Sequence, residues 1–255
     1  MCVEEIKSVK NPTVRWMRAL KERKGREESG AFLVEGRKMI EEARNAGLRA
    51  LCLLAVEELR EFAAGFDRAA LVPDFVLEAV CDTKTPQGAC AAFEMPKTIP
   101  LEAAPERLVA LDGVQDPGNV GTIWRTADAA GFQGILLGAG CADAMSNKVQ
   151  RAAMGSGFRL PALQAANLAE ALGELRRKGW KVFASALDGE DFYRRPEMGE
   201  KCILVIGSEA RGISPSVREQ ADSLVKLPMR GGAESLNAAV AAGIMMYEMM
   251  REKEN

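Results

Sequence analysis

Four short apolar runs, Leu108–Leu111, Gly134–Leu137, Val182–Ala186 and Ile203–Ile206, alternate with longer segments of helical patterning, and this alternation constrains the fold more than any other feature. Runs that are apolar throughout, rather than at every second position, suit strands buried on both faces. Such strands belong to parallel sheets covered by helices. A fifth run, Leu224–Leu227, precedes a long helix expected from about Ser235. The C-terminal region therefore reads as an open α/β domain, whose ligands bind in loops beyond the strand C-termini.

The first hundred residues read as a smaller α/β unit. Asn11-Pro12 opens a helical stretch to about Lys24, a strand is expected at Phe32–Gly36, and helix resumes over Arg37–Ala46 before Gly47. Apolar runs at Leu51–Ala55, Ala69–Val72 and Ala89–Phe93 supply a small sheet. From Glu94 to Pro105 the sequence EMPKTIPLEAAP has three prolines and few large apolar side chains, the composition of a linker. We expect domains over 1–98 and 107–255, joined by residues 99–106.

Composition narrows the chemistry. The chain of 255 residues is 47% hydrophobic, enough for packed cores, and its net charge of -2 gives no global signature of nucleic-acid binding. Any RNA contact must be local. Histidine is absent, which removes the usual general base and the Ser-His and Cys-His nucleophile pairs. The six cysteines, Cys2 among them, have no zinc-site or disulfide spacing, so no metal is expected and a reducing cytoplasm suits them. The start, MCVEEIKSVK, is charged where a secretion signal is apolar, and no apolar stretch approaches the roughly 18 residues of a membrane span.

Three strand-end loops carry the candidate chemistry. After the first run comes DGVQDPGNVGTIWRTADAAG, in which Asp116–Asn119 is turn chemistry, Gly121–Ala130 is helix-compatible, and Gly131 is a stop. Asn119 and Arg125, six residues apart, are expected to face one cleft. After the fourth run, ILVIGSEARGISP sets Glu209 at the lip of the sheet, with Ser214 and Pro215 opening a helix. The last loop, LPMRGGAESLNAAVAAG, leads into a helix whose Ala238, Ala239, Ala241, Ala242 and Gly243 leave room for a closely packed partner. Taken singly, each loop is explicable as a turn or a cap, and for the loop with Glu209 that plainer reading is the better one.

Together, NVGTIWRTA, LVIGSEARGIS and LPMRGGAESLNAAVA resemble the three signature motifs of the SpoU/TrmH family of RNA 2′-O-ribose methyltransferases. VKNPTVRWMRALKERKGR, FLVEGRKMIEEA and TKTPQGACA likewise resemble that family's ribosomal-protein-like substrate-binding domain. The resemblance implies a SPOUT-type parallel sheet with a C-terminal trefoil knot, an arrangement that ordinary chains avoid. It also implies S-adenosylmethionine as cofactor, held by Gly207, Leu227, Leu236, Met229 and Ala239. Asn119, Arg125, Glu209, Ser235 and Asn237 fall on the catalytic and substrate positions. A guanidinium stays protonated in proteins, so Arg125 is expected to clamp a phosphate beside the target ribose, with water or phosphate taking the proton. A homodimer through the knotted domain is implied as well.

Local basic residues complete the reading. Lys7, Lys10, Arg15, Arg18, Lys21, Arg23, Lys24 and Arg26 face a single acid, Glu22, within their span, which suits phosphate contact. Trp16 among them is a core residue or a platform for an unpaired base. Lys148 and Arg151 are spaced to share a helix face on the catalytic domain. Ribosomal RNA is the favoured substrate; transfer RNA and a non-catalytic RNA-binding role on the same fold are the alternatives. A dinucleotide-dependent oxidoreductase requires G-x-G-x-x-G after the first strand, where this chain has DGVQDPGNVG.

Overall fold

The computed structural model describes residues 4–251; Cys2 lies outside them. The chain forms two compact units, Met1–Lys97 with Met145–Arg151, and Thr98–Ala144 with Ala152–Asn255.

The first unit runs β1 (Glu4–Glu5), α1 (Pro12–Ala19), α2 (Arg23–Ser29), β2 (Ala31–Glu35), α3 (Arg37–Asn45), β3 (Ala50–Ala55), α4 (Arg60–Ala63), β4 (Ala69–Leu71), α5 (Asp74–Val80) and β5 (Ala89–Glu94). Its five strands are ordered β1-β4-β3-β5-β2, with β5 antiparallel to both neighbours. Val14 and Met17 of α1 and Val76, Leu77 and Val80 of α5 pack into one core with Leu33, Leu54 and Cys90.

The single helix expected from Asn11 to Lys24 is in fact two, and Arg26 is the reason. Asn11 caps α1 by accepting from the Thr13 amide at 2.8 Å. At the other end, the Arg26 guanidinium donates to the Leu20 and Lys21 carbonyls at 2.8 and 2.6 Å, satisfying oxygens that a helix end leaves unpaired. Gly25 lets α2 come this close, because a Cβ there would lie 2.1 Å from the Ala19 carbonyl oxygen. Arg26 is therefore buried, at 5% exposure, and is structural rather than a phosphate contact. Trp16 is half-buried against the same core and donates to Ser29 Oγ at 3.3 Å, which favours the core reading.

The second unit contains β6 (Arg107–Asp112), α6 (Pro117–Ala130), β7 (Gly134–Leu137), the last residues of α7 (Asn147–Ala153), α8 (Ser156–Arg159), β8 (Ala162–Gln164), α9 (Leu168–Arg177), β9 (Lys181–Asp191), β10 (Cys202–Gly207), α10 (Pro215–Arg218), β11 (Ser223–Lys226) and α11 (Ala238–Arg251). All six strands are parallel, in the order β11-β9-β10-β6-β7-β8. Every apolar run read as a strand is one. The short β8, in PALQA, has no run long enough to announce it.

Strand order decides where the loops meet. From β6 the chain builds outward through β7 and β8, then crosses to the other side of β6 with β9 and β10. That reversal opens a crevice beyond the strand C-termini. In it, β6 and β10 lie side by side in register from Cys202↔Arg107 to Gly207↔Asp112, so the loops that follow them emerge together.

The small-residue face of α11 is explained by α6, which packs against it. Ala239 and Ala242 are buried, and a Cβ on Gly243 would touch Thr126 Cγ2 at 3.4 Å. Trp124 of α6 is fully buried and donates to the Leu160 carbonyl at 3.0 Å. Met245, Met246 and Met249 of α11 are core residues.

Candidate active site

Beyond the ends of β9, β10 and β11 lies a cavity of about 980 Å³. Its walls include Gly207, Leu227, Met229 and Leu236, four of the five residues expected to hold a cofactor, together with Glu209, Ser235 and Asn237. Ala239 is buried and does not line it; its backbone amide instead donates to Asn237 Oδ1.

Each wall has a local cause. After β10 the chain folds back tightly, with Ser208 and Gly212 exchanging backbone hydrogen bonds at 3.1 and 2.8 Å. A Cβ on Gly207 would sit 2.1 Å from the Gly212 carbonyl carbon and 2.3 Å from the Ile213 nitrogen, so only glycine permits this return. The Ser214 amide then donates to Asp112 Oδ2 at 2.6 Å, fastening the loop to the end of β6. Opposite, the segment from Leu227 to Asn237 has no regular structure, consistent with Pro228 and the Gly231-Gly232 pair.

A chain of side-chain hydrogen bonds joins the three loops. Asn119 Nδ2 donates to Glu209 Oε1, and Asn237 Nδ2 donates to Asn119 Oδ1 at 2.9 Å. Asn237 Oδ1 accepts from the Ala239 and Val240 amides at 2.9 and 3.2 Å and so caps α11, which begins at Ala238 rather than near Ser235. Chemistry orients the whole chain: the carboxylate only accepts, so Asn119 must present its NH₂ to Glu209 and its carbonyl to Asn237.

Arg125 is not part of this chain. The expected turn at Asp116–Asn119 is instead the first turn of α6, with Asp116 capping it by accepting from the Asn119 amide at 2.8 Å. Both residues thus sit on one helix, where six residues at about 100° each leave them roughly 120° apart around the axis. Arg125 is exposed, does not line the cavity, and makes no side-chain hydrogen bond or ion pair among the described residues.

Several cavity residues have no counterpart in the expected set. Ser185, Leu187 and Asp188 come from the second half of β9, which continues past its apolar run to Asp191 and pairs with β11 through a register shift at Leu224/Val225. Arg218 of α10 donates to both Asp188 oxygens, at 2.9 and 2.6 Å, and its guanidinium holds the Asp188 carboxyl below the usual range. The available signal was position alone: Asp188 follows an apolar strand of a parallel sheet. Leu187, Met229 and Leu236 expose apolar side chains at 74, 37 and 38%, giving the cavity apolar surface for a ligand.

Residues 106–247 match the SpoU rRNA Methylase family, more than half the chain. The chain belongs to the SpoU rRNA methylase family. Residues 11–91 of this SpoU methylase also match the MRM3-like substrate binding domain. It is 36% identical over 250 residues to the 23S rRNA (guanosine(2553)-2′-O)-methyltransferase RlmP of Bacillus subtilis, covering 97% of this chain and 99% of that protein. Among solved structures it resembles the AdoMet-bound rRNA methyltransferase from Sinorhizobium meliloti, with TM-score 0.88, 34% identity and 98% of each chain covered. The SpoU methyltransferase AviRb from Streptomyces viridochromogenes, in complex with AdoMet, gives TM-score 0.85 and 28% identity over 96% of this chain and 99% of that one.

The basic residues of the SpoU methylase fall into two groups. Lys7 pairs with Glu5, Arg23 with Glu27 and Lys24 with Glu28, while Lys21 reaches the Ala79 carbonyl and Asp82. Lys10, Arg15 and Arg18 are exposed, with no side-chain partner among the described residues. Lys148 and Arg151 lie within residues 106–247, which match the SpoU family, although Met145–Arg151 clusters by contact with the first unit. Asn147 anchors that segment by donating to Glu35 and Asp82, both at 2.9 Å, and Arg151 lies 3.8 Å from Glu35. Lys148 is exposed. No cluster of three metal-ligating side chains and no helix long and apolar enough to cross a membrane occurs among the described residues.

Proposed function

We propose that this chain methylates a ribose 2′-hydroxyl of ribosomal RNA with S-adenosylmethionine as donor. One observation carries the reading: the loops after β10 and β11 line one cavity, and their Glu209 and Asn237 are both tied to Asn119 in the first turn of α6. The cavity has the size and mixed lining of a small-molecule site. Leu187, Met229 and Leu236 offer apolar contact to an adenosine, and the tight turn at Gly207 brings backbone polar groups to the wall. When bound, the cofactor supplies an already activated methyl group. The protein's share is positioning. Gly207, Leu227, Met229 and Leu236 hold the donor, Asn119 and Ser235 orient the ribose, and the free guanidinium of Arg125 takes the adjacent phosphate.

Ribosomal RNA is favoured over transfer RNA because the B. subtilis relative named for 23S rRNA matches from end to end, substrate-binding region included. Lys10, Arg15 and Arg18 supply phosphate contacts there, and the enzyme works in the cytoplasm, where that RNA is made. The test is transfer of label from S-adenosylmethionine to in-vitro-transcribed 23S rRNA, followed by mapping. A 2′-deoxy nucleotide at the mapped position should abolish labelling; persistent labelling would mean base methylation instead.

A homodimer is part of the proposal. Val240, Ile244 and Tyr247 expose 51, 39 and 55% of their surface at spacings that share one face of α11. A two-fold pairing through this face covers it. The walls formed by residues 207–214 and 227–237 also suit the trefoil threading that the family implies. Tyr247→Glu should convert a dimer to a monomer in sedimentation analysis; a monomeric parent protein would refute the pairing.

A further inference from the structure

We propose that Glu35 is a positioning residue that presents Lys84 and Lys148 as a pair of phosphate contacts for RNA on the first unit. The inference rests on the chain's acting on RNA, and names a place where the RNA backbone docks.

Glu35 ends β2, and its side chain is only 5% exposed. Burying a carboxylate is costly unless its lone pairs are filled. Here they are filled from two other stretches of chain. Oε1 accepts from the Asp82 amide at 2.7 Å and from Asn147 Nδ2 at 2.9 Å. Oε2 accepts from the Thr83 amide at 3.3 Å and from Thr83 Oγ1 at 2.9 Å, with the Arg151 guanidinium 3.8 Å away. Residues 82 and 83 and the start of α7, all parts of the first unit, are thus fastened to one carboxylate.

Each fastened segment carries a lysine. Lys84 follows Thr83 and Lys148 follows Asn147; both are exposed, and neither has a side-chain partner among the described residues. Asp82, the acid beside Thr83, is already engaged: its Oδ2 accepts from Asn147 at 2.9 Å and its Oδ1 lies 3.9 Å from the Lys21 ammonium. Around the network four cations, Lys21, Lys84, Lys148 and Arg151, stand against two carboxylates, Glu35 and Asp82. The two lysines are left without a counter-charge.

An ammonium is a compact point charge, suited to a phosphate oxygen rather than to the patterned edge of a base. Cations whose backbones are already held in place lose less freedom on binding than cations on a loose loop. Lys21 also ties the network to α1, since it follows that helix, on which Arg15 and Arg18 stand exposed without partners. Continuity with those cations favours a nucleic-acid backbone as the occupant over an acidic protein surface.

The experiment measures filter-binding affinity of the full-length protein for in-vitro-transcribed 23S rRNA between about 50 and 200 mM salt. Lys84→Gln combined with Lys148→Gln should weaken binding by about 10-fold and lower the slope of log affinity against log salt by roughly 1.4 to 1.8, the value for two phosphates. Tm and calorimetric affinity for S-adenosylmethionine should stay at the parent's values. Glu35→Gln turns one accepting oxygen into a donor that faces other donors, and should weaken RNA binding by about fivefold in the parent background and by less than about twofold in the lysine double variant. Asn147→Ala, which leaves Glu35 in place and frees the segment bearing Lys148, makes the same comparison should Glu35→Gln not fold. An unchanged salt slope in the lysine double variant overturns the phosphate contacts. Equal losses from Glu35→Gln, or from Asn147→Ala, in both backgrounds overturn the positioning role, because a merely structural defect does not depend on the lysines. A parent protein that leaves no 2′-O-methyl group on the RNA refutes the methyltransferase reading instead. The salt series needs no turnover, so the two failures are distinguishable.

Discussion

Asn237 Nδ2 donates to Asn119 Oδ1 at 2.9 Å, a bond that spans 118 positions of sequence and joins the start of α11 to the first turn of α6. Asn237 serves two purposes at once, because its Oδ1 caps α11 while its NH₂ orients the amide that holds Glu209.

The two purposes separate by substitution. Asn237→Ala removes cap and donor, and should cost about 1–2 kcal/mol, with a fall in Tm of about 2–4 °C per kcal/mol for a chain this long. Asn237→Asp keeps the capping oxygen and loses the donor. Scanning calorimetry should find Asn237→Asp near the parent, while methyl transfer stays low in both variants. Equal melting losses would show that capping is not what Asn237 contributes to stability.

Gly207→Ala is expected to destroy cofactor binding. The added carbon meets backbone at 2.1–2.4 Å, and backbone cannot rotate aside as a side chain would. Overpacking of this kind costs about 1–3 kcal/mol. Isothermal titration should detect no S-adenosylmethionine binding at concentrations that saturate the parent; retained affinity would mean that the Ser208–Gly212 turn does not shape the cavity.

Arg125→Ala should leave both fold and cofactor affinity intact, because the side chain is exposed and has no partner among the described residues. Methyl transfer should be abolished, and Arg125→Lys should recover little, since an ammonium lacks the planar fork that grips a phosphate. Near-normal turnover in Arg125→Ala would remove this residue from the site.

On the first unit, burial divides the cations. Arg15→Gln with Arg18→Gln should leave Tm unchanged, weaken RNA binding and lower the salt dependence by about one power of salt concentration for each phosphate no longer neutralised. Arg26→Gln should do the reverse, lowering Tm through loss of its bonds to the Leu20 and Lys21 carbonyls. Filter binding across a salt series, paired with thermal melts, reads both effects. A weakened salt dependence in Arg26→Gln with no change in melting would contradict its burial.

Much of the architecture was legible because strand burial is written locally. A run such as Ile203–Ile206 is apolar at every position, and only a strand covered on both faces uses such a run. Caps are local too: Asn11, Asp116 and Asn237 each precede their helix by one residue. The break between α1 and α2 was not legible, because it depends on a guanidinium six residues beyond the carbonyl it satisfies. Asp188 was missed because β9 runs on through polar residues, held by pairing with β11, and strand pairing leaves no mark in either segment alone.

Sequence by itself determined the parallel sheet, the three loop motifs and the residue types available for chemistry, including the absence of histidine, the usual general base. Those properties follow from side-chain polarity and short-range order. Tertiary structure decided which groups meet. Helical phase turned Arg125 away from Asn119, although the two lie six residues apart. The parallel register of β6 with β10 brought Asn119 to Glu209, ninety positions later, because adjacent strands in register deliver their following loops to the same place.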